Sequence, residues 1–547
     1  PDQWQIFTRT GVNHLMSISG LHVTMVSGLV YYCAFALWRR SRRAAQLFPA
    51  HKAAVLAGLC AAFVYALLAG FSVPTQRTFY MLAVLAAALW LGRLASASLV
   101  LCFALLAVAL FDPWAVLAPG FWLSFGAVAV IMFVTVGRIG KPHWLRAWSG
   151  VQWAITIVLT PLLLLMFQQL SIISPLANAF AIPWVSWVVV PLTLLGAVLP
   201  LDVLLVAAHQ MMAWCGALLG LLSAMPEAVW QQHAPPAWAV LGALLGGFWL
   251  LLPRGFPARW VGVVLFLPAF LVLPARPADG ALWLTVLDVG QGLAVVAQTR
   301  RHALLYDTGP MQSAESDAGG RTIVPYLRGV GIRKLEGLIV SHDDIDHSGG
   351  ALSILDEAPI GWLVSSLPEN HPIAHRSVKP MHCYAGQAWV WDGVRFEILH
   401  PSLESYANPR LKDNDRSCVL KVASRFGTVL LPGDIERAAE SELVQRAGLA
   451  ADIMVVPHHG SRTSSTPEFI TAVNPSLVIF TVGHRNRYGH PKRDIVARYE
   501  RHGSLRYRTD QSGAITLRFD SEDGYKVQTY RRERPRYWRE KIQSPTL

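Results

Sequence analysis

Between its first residue and Asp279 this chain holds only five acids (Asp2, Asp112, Asp202, Glu227 and Asp279), against 14 lysines and arginines and a series of long apolar runs. So few carboxylates cannot solvate such a segment in water, and the first half is expected in lipid. From Gly280 to Leu547 the balance is 30 acids to 33 bases, which suits a water-soluble domain. The 53% hydrophobic content is therefore an average over two unlike halves. The Pro-rich stretch Leu273-Pro-Ala-Arg-Pro-Ala-Asp279 marks the boundary. It gives a membrane domain over 1–278, a soluble domain over 279–530 and a basic tail over 531–547.

Ten stretches have, or nearly have, the apolar length of a bilayer-crossing helix: 12–38, 53–72, 78–92, 97–111, 120–136, 150–168, 172–199, 203–225, 237–252 and 260–274. Pro175, Pro183 and Pro191 interrupt 172–199, which reads either as a kinked packing helix or as a segment lining a polar path. The bases Arg39, Arg40, Arg42, Arg43, Lys52, Arg93, Arg138, Lys141, Arg146, Arg254 and Arg259 all fall in connectors on one side of a ten-span count. Connectors 112–119 and 226–236, on the other side, have none. The excess of bases marks the cytoplasmic face, so the soluble domain is expected outside the cytoplasm. The chain starts on Pro1 and shows no signal peptide, which reads as a piece of a longer protein. Six scattered cysteines form no Cys-x-x-Cys pair, which excludes a cysteine zinc ribbon. Cys383 and Cys418 read as two isolated thiols, with a disulfide as the alternative in an oxidising compartment.

From 282 the pattern turns to short β-like runs separated by glycines: 282–289, 293–299, 303–306, 335–340, 394–399, 418–424, 427–431, 453–456 and 476–482, with helices near 321–331, 435–447, 466–473 and 492–502. Alternation of this kind predicts a layered α/β domain. Histidines and acids gather where strands end. His342-Asp-Asp344-Ile-Asp346-His347-Ser-Gly-Gly follows the run 335–340, Pro432-Gly-Asp434 follows 427–431, Pro457-His458-His459-Gly-Ser461 follows 453–456, and Asn486-Arg487-Tyr-Gly-His490-Pro491 follows 476–482. One such loop is often only a polar surface turn. Four in one domain predict a shared metal centre of imidazoles and carboxylates.

These residues resemble the metallo-β-lactamase hydrolases, αββα sandwiches that hold two metals at one sheet edge; the likeness covers 280–530. By that resemblance His342 and Asp344 ligate one ion, Asp346 and His347 the other, and Asp434 bridges them. His490 matches the last histidine of the pattern, and His458 or His459 is a ligand or proton donor, so Asp346, His458 and His459 are the catalytic candidates. Asp307, in an Asp-Thr-Gly turn, is expected to orient a ligand histidine. His400 is a weak match for the family's middle histidine and reads better as a turn residue. The usual histidine is replaced by Asp344, a harder ligand that favours manganese or magnesium, with zinc still open. The implied chemistry is hydrolysis with two divalent ions activating water. Ser461, Arg462, Asn486 and Arg487 are candidates to grip phosphate, or simply solvated loop.

In the membrane half, Asn13-His14-Leu-Met-Ser17-Ile-Ser19-Gly-Leu-His22-Val puts polar side chains inside an apolar run, and Pro74-Thr-Gln-Arg77 and Pro119-Gly-Phe-Trp-Leu-Ser-Phe125 accompany it. Such residues are expensive in lipid, so His14, Ser17, Ser19, His22 and Arg77 are expected to face protein or a channel. With Leu287-Asp-Val-Gly-Gln-Gly292 and the histidine loops, these strings resemble the ComEC family of DNA-internalisation proteins across nearly the whole chain; the usual N-terminal oligonucleotide-fold domain is missing. The resemblance implies an inner-membrane channel of a bacterium. Single-stranded DNA would be its cargo, duplex would arrive outside, and the metal domain would degrade the strand left behind. It also implies a separate DNA receptor and a cytoplasmic motor or single-strand-binding proteins. Alternatives are a metal domain that grips DNA without cutting it, or a membrane metallohydrolase of lipid or cell-wall phosphodiesters. The tail Arg531-Arg-Glu-Arg-Pro-Arg-Tyr-Trp-Arg-Glu-Lys541 could bind nucleic acid, lipid headgroups or nothing.

Overall fold

The computed structural model describes residues 2–16, 20–92, 96–136, 143–253, 255–408, 410–446, 448–522 and 524–538. The contacts divide the chain into two units, Pro1–Val272 and Leu273–Leu547.

In the first unit a helix occupies each of the ten apolar stretches: Gly20–Trp38, Ala50–Leu68, Val73–Trp90, Ala97–Phe111, Pro119–Thr135, Trp144–Phe167, Ser174–Val198, Asp202–Ser223, Ala237–Leu250 and Val261–Leu271. Five of these, Gly20–Trp38, Ala50–Leu68, Trp144–Phe167, Ser174–Val198 and Asp202–Ser223, are long and apolar enough to cross a membrane. Large side chains such as Leu68, Leu110, Phe111 and Leu221 stand mostly exposed on the long and the shorter apolar helices, an arrangement costly in water and neutral in lipid. Small residues bring helices together. A Cβ on Gly246 would strike the carbonyl of Gly262, and one on Gly262 the carbonyl of Gly246, so these two backbones touch directly.

The three prolines of 172–199 do not break the helix. Pro175 stands in the first turn, where an N–H is not needed. Beyond Pro183 the chain widens into a π turn, Val185–Val189, and runs on through Pro191 to Val198. The wider turn absorbs the missing donors of the interior prolines. At one end of the unit, Gln169–Ser171 pairs with Val229–Gln231 in a short antiparallel ladder. Arg9 of helix Asp2–Thr10 is pinned beside it, with Nε donating to Ser223 O at 2.8 Å.

The second unit is built on two sheets. The first has eight strands in the order Pro380–His382, Ile360–Ser365, Leu335–Val340, Ala303–Tyr306, Val295–Gln298, Leu282–Val286, Ile515–Ser521 and Gly524–Thr529. The second has seven: Ala388–Trp391, Val394–His400, Val419–Ser424, Gly427–Leu431, Ile453–Val455, Leu477–Phe480 and Leu505–Arg508. Period two explains the layering. Leu304, Tyr306 and Ile339 from one sheet meet Val429, Leu431, Ile453 and Ile479 from the other in the inner core. Their neighbours in sequence face outward: Leu305, Leu338 and Val340 pack under helix Val324–Val330, and Leu430, Met454 and Val478 under Arg437–Val444 and Pro467–Val473. Buried on both faces, these strands read as continuous apolar runs. The result is an αββα sandwich.

Phe396 lies at the centre of the inner core, fully buried and stacked on Trp389 with ring centroids 5.4 Å apart. Phe396→Ala is expected to destabilise the unit by about 3–5 kcal/mol, read as a shift of the denaturation midpoint at unchanged slope.

Cys383, just past an edge strand of the first sheet, and Cys418, just before Val419–Ser424 of the second, are joined as a disulfide with Cα atoms 6.0 Å apart. This corrects the expectation of isolated thiols. The pairing is invisible in sequence because it spans two different sheets and 35 residues.

Candidate metal centre

The strands that carry the chemistry run parallel, so their C-terminal ends share an edge. Ala303–Tyr306 and Leu335–Val340 are parallel neighbours in the first sheet and deliver Asp307 and His342. Gly427–Leu431, Ile453–Val455 and Leu477–Phe480 are parallel in the second and deliver Asp434, His458 with His459, and Thr481.

Two sets of side chains lie close enough to hold a cation: His342, His347 and Asp434, and Asp346, His347 and His459. Asp434 is central. Its Oδ1 lies 3.1 Å from His347 Nε2, and its Oδ2 lies 3.6 Å from His459 Nε2 and 3.8 Å from His458 Nε2. Asp346 Oδ2 is 3.3 Å from His459 Nε2, and Asp344 Oδ2, half exposed at the rim, is 3.4 Å from His342 Nε2.

The far nitrogen of each inner histidine is fixed. His347 Nδ1 donates to Asp307 Oδ2 at 2.7 Å, and His459 Nδ1 donates to Thr481 O at 2.7 Å. Both Nε2 atoms therefore point inward, 3.2 Å apart, where each offers a lone pair once its proton is lost. Asp307 also accepts from Ser341 N and Ser341 Oγ, at 2.7 and 2.8 Å. Asp307, His458 and His459 all take left-handed backbone angles, with φ of 57°, 50° and 54°. Non-glycine residues hold that region only under constraint, and here it lets consecutive residues aim at one point. Gly292 serves close approach: a Cβ there would collide with the carbonyl of Asp346.

The charges form one system. Burial raises the Asp434 carboxyl, but His347 and His459 outweigh it and hold it well below the usual range. Burial alone would likewise raise Asp346, yet the bond from His459 and the charges of His347 and His459 bring it down to about 2. In His347 burial acts downward and loses to Asp434 and Asp307, so its proton is held well above the ordinary imidazole value. His459 is raised in the same way, chiefly by Asp434 and Asp346. The imidazolium protons thus occupy the place that cations would take. The donor set fits divalent ions: His342 Nε2 is buried with no hydrogen-bond partner, and mixed imidazole and carboxylate donors suit zinc or manganese.

Protonated His347 must lose its proton to ligate. Metal loading near neutral pH is therefore expected to release protons, and affinity to rise with pH until His347 and His459 are neutral. Calorimetric titration of Mn²⁺ or Zn²⁺ in buffers of different ionisation enthalpy checks this; heats independent of the buffer would contradict it.

The fold brings His342, Asp346, His347, Asp434 and His459 together, with Asp344 and His458 at the edge. His490 joins neither set. Its ring lies 6.2 Å from that of His458, and burial with the nearby charges of His459 and Lys492 pushes it down to about 4. Asn486 holds that loop, bonding the carbonyls of Gly483 and His490 and accepting from His490 N. Arg462 is paired with Asp494, Ser461 accepts from Thr463 Oγ1, and exposed Arg487 stacks over Tyr488. His400 is turned into the loop, its Nε2 on Asp415 O at 2.8 Å. Sequence reasoning missed Thr481, and also Ser417, whose Oγ accepts from Asp434 N. Neither stands in a motif, and a hydroxyl or carbonyl at a strand end leaves no pattern.

In the membrane unit, His14 lies in the short helix Asn13–Met16, and His22 and Arg77 are buried in Gly20–Trp38 and Val73–Trp90. Ser17 and Ser19 lie outside the described residues.

Two family models match the chain: Competence protein over residues 1–257 and Metallo-beta-lactamase superfamily over 287–484. Competence protein ComA of Neisseria gonorrhoeae is 40% identical over 99% of this chain and 75% of its own length. Recombination protein 2 of Haemophilus influenzae is 30% identical over 94% and 69%, and ComE operon protein 3 of Bacillus subtilis 27% over 95% and 69%. The chain therefore belongs to the ComEC-type family of competence proteins, in which a helical membrane region precedes a metallo-β-lactamase domain.

Proposed function

We propose that the membrane unit is the channel through which single-stranded DNA enters a bacterium across its inner membrane, and that the second unit is a metal-dependent nuclease that degrades the strand left outside. The observation that carries this is the convergence of His342, Asp346, His347, Asp434 and His459 at one sheet edge, in a chain 40% identical to a competence protein. Two divalent ions, manganese or zinc with magnesium possible, are the cofactors. His342, Asp344, Asp346, His347, Asp434 and His459 would hold them, and when bound they acidify water and neutralise charge on the attacked phosphate.

The protein's own groups do the rest. Asp307 and Thr481 keep His347 and His459 aimed; His347 belongs to both sets, and Asp434 lies between His347 and His459. His458 keeps a face open to solvent and bonds Thr463 Oγ1 through Nδ1 at 3.0 Å. It is placed to give a proton to the leaving oxygen as the P–O bond breaks, while the proton that the attacking water sheds on adding to phosphorus passes to solvent. A position outside the cytoplasm is supported by the excess of bases in connectors on the opposite side of the span count and by the Cys383–Cys418 disulfide. The DNA receptor and the motor would be separate proteins.

The test is cleavage of labelled duplex and single-stranded DNA by the purified full chain with each metal, alongside transformation of cells carrying the same variants. Metal-dependent cleavage lost in His347→Ala supports the nuclease. Metal binding and DNA binding without cleavage would make the domain a gripping module. Normal transformation after deletion of the whole protein would end the channel reading.

A further inference from the structure

Arg77 stands in the second turn of helix Val73–Trp90 and is only 7% exposed. Its Nε donates to Val73 O at 3.3 Å, but Nη1 is buried with no hydrogen-bond partner. Among the described residues no ion pair reaches it, and Asp112 is the carboxylate whose field it feels. The guanidinium lies against the opening turn of helix Pro119–Thr135: a Cβ on Gly120 would sit 3.2 Å from Nη2 and 3.5 Å from Nη1. That helix has 17 residues, begins on Ala118 and Pro119, and has no side-chain cap.

The first turn of a helix carries partial positive charge and outward N–H groups. Placing a buried guanidinium against it sets like charge on like, an arrangement that a bound anion would stabilise. Glycine at 120 lets the guanidinium lie directly on that turn, so an anion held by one also meets the other. A second orphan stands on the neighbouring helix: His22 Nε2 is buried without a partner on Gly20–Trp38, whose Gly20 is packed so tightly on Thr78 that a Cβ would collide with its hydroxyl.

We propose that Arg77 and the first turn of helix Pro119–Thr135 form a binding site for one phosphodiester group of the single strand, on its way through the membrane unit. Guanidinium offers two parallel donors to a phosphate, and the helix end adds backbone donors without reading the base, as a channel for any sequence requires. The site lies next to the connectors 69–72 and 112–118, which the alternation of helices puts on the same face as residue 272. The inference deepens the channel reading and rests on it.

The test uses the full chain in lipid nanodiscs and a fluorescent single-stranded oligothymidylate, with affinity measured by anisotropy over a range of salt. One lost phosphate contact lowers the slope of log affinity against log salt by about 0.7. Arg77→Gln is expected to show that decrement, Arg77→Lys to restore the slope, and Gly120→Val to lose it although the charge remains. A misfolded variant would not lose one contact's worth of salt dependence while keeping the rest. A wild-type slope in both Arg77→Gln and Gly120→Val overturns the site. A decrement seen only in discs containing anionic lipid overturns it too, in favour of a lipid headgroup. A wild-type chain with no affinity for the oligonucleotide sinks the channel reading itself.

Discussion

Asp434→Asn in the full chain is expected to abolish loading of both ions and to lower the proposed metal-dependent DNA cleavage on the order of 10⁴- to 10⁶-fold, the scale of removing a principal catalytic group. Among the described residues Asp434 is the one carboxylate that faces His347, His459 and His458 together. Without its charge, His347 and His459 lose the largest force that offsets their burial. The effect on stability has a definite sign. The Asp434 carboxyl is held below its usual range, so its contribution is present above the unfolded carboxylate value and is lost as pH falls through the depressed one. Between these limits and the raised values of the imidazoles, Asp434→Asn leaves buried imidazolium without its counter-charge. The scale for breaking a buried pair is about 3–5 kcal/mol. The penalty should shrink at higher pH, where the imidazoles can stay neutral. Metal content after dialysis, cleavage rates, and denaturation of the metal-free variant at two pH values check the three parts separately. A variant that still binds two ions would show that the sets close without the central carboxylate.

Much of this centre was legible in the sequence because its candidate ligands sit at the ends of apolar runs, where a strand leaves the sheet. His342, Asp346, His347 and Asp434 follow from that alone. The choice between His458 and His459 does not, because two adjacent left-handed residues abandon the alternation that would say which one points inward. His490 is the opposite case. It sits in a loop with the right residues, but the bonds of Asn486 to Gly483 and His490 hold that loop, and the ring joins neither set. Strand Ile360–Ser365 escaped notice because Gly361 and Trp362 dilute a short pattern, and Ile515–Ser521 was missed as well, although Ile515, Leu517 and Phe519 alternate plainly. In the membrane half the apolar runs located all ten helices, yet they could not foresee the π turn that lets one of them absorb its prolines. Burial of Arg77 without an anionic partner was likewise beyond the pattern, since it depends on which helix lies opposite.

Asp307→Asn is the sharper probe of how the centre is held, because it changes the acceptor and spares the backbone. Asp307 sits at a left-handed φ of 57°, which asparagine tolerates far better than alanine. Its two oxygens receive three bonds, from His347 Nδ1, Ser341 N and Ser341 Oγ. An amide can present only one oxygen, so at least one buried donor loses its partner, at a cost of about 1–3 kcal/mol. His347 also loses the carboxylate that fixes its tautomer and strengthens it as a donor. Metal affinity is expected to fall about 10- to 100-fold, as it does when a carboxylate behind a ligand histidine is removed. Asp307→Ala should weaken binding at least as much and add backbone strain, so that it unfolds at lower denaturant than Asp307→Asn. Equilibrium dialysis with Mn²⁺ and Zn²⁺, paired with unfolding of the metal-free variants, separates the two roles. Lower stability with unchanged metal affinity would make Asp307 a structural brace, and would leave the inward aim of His347 to the packing around it.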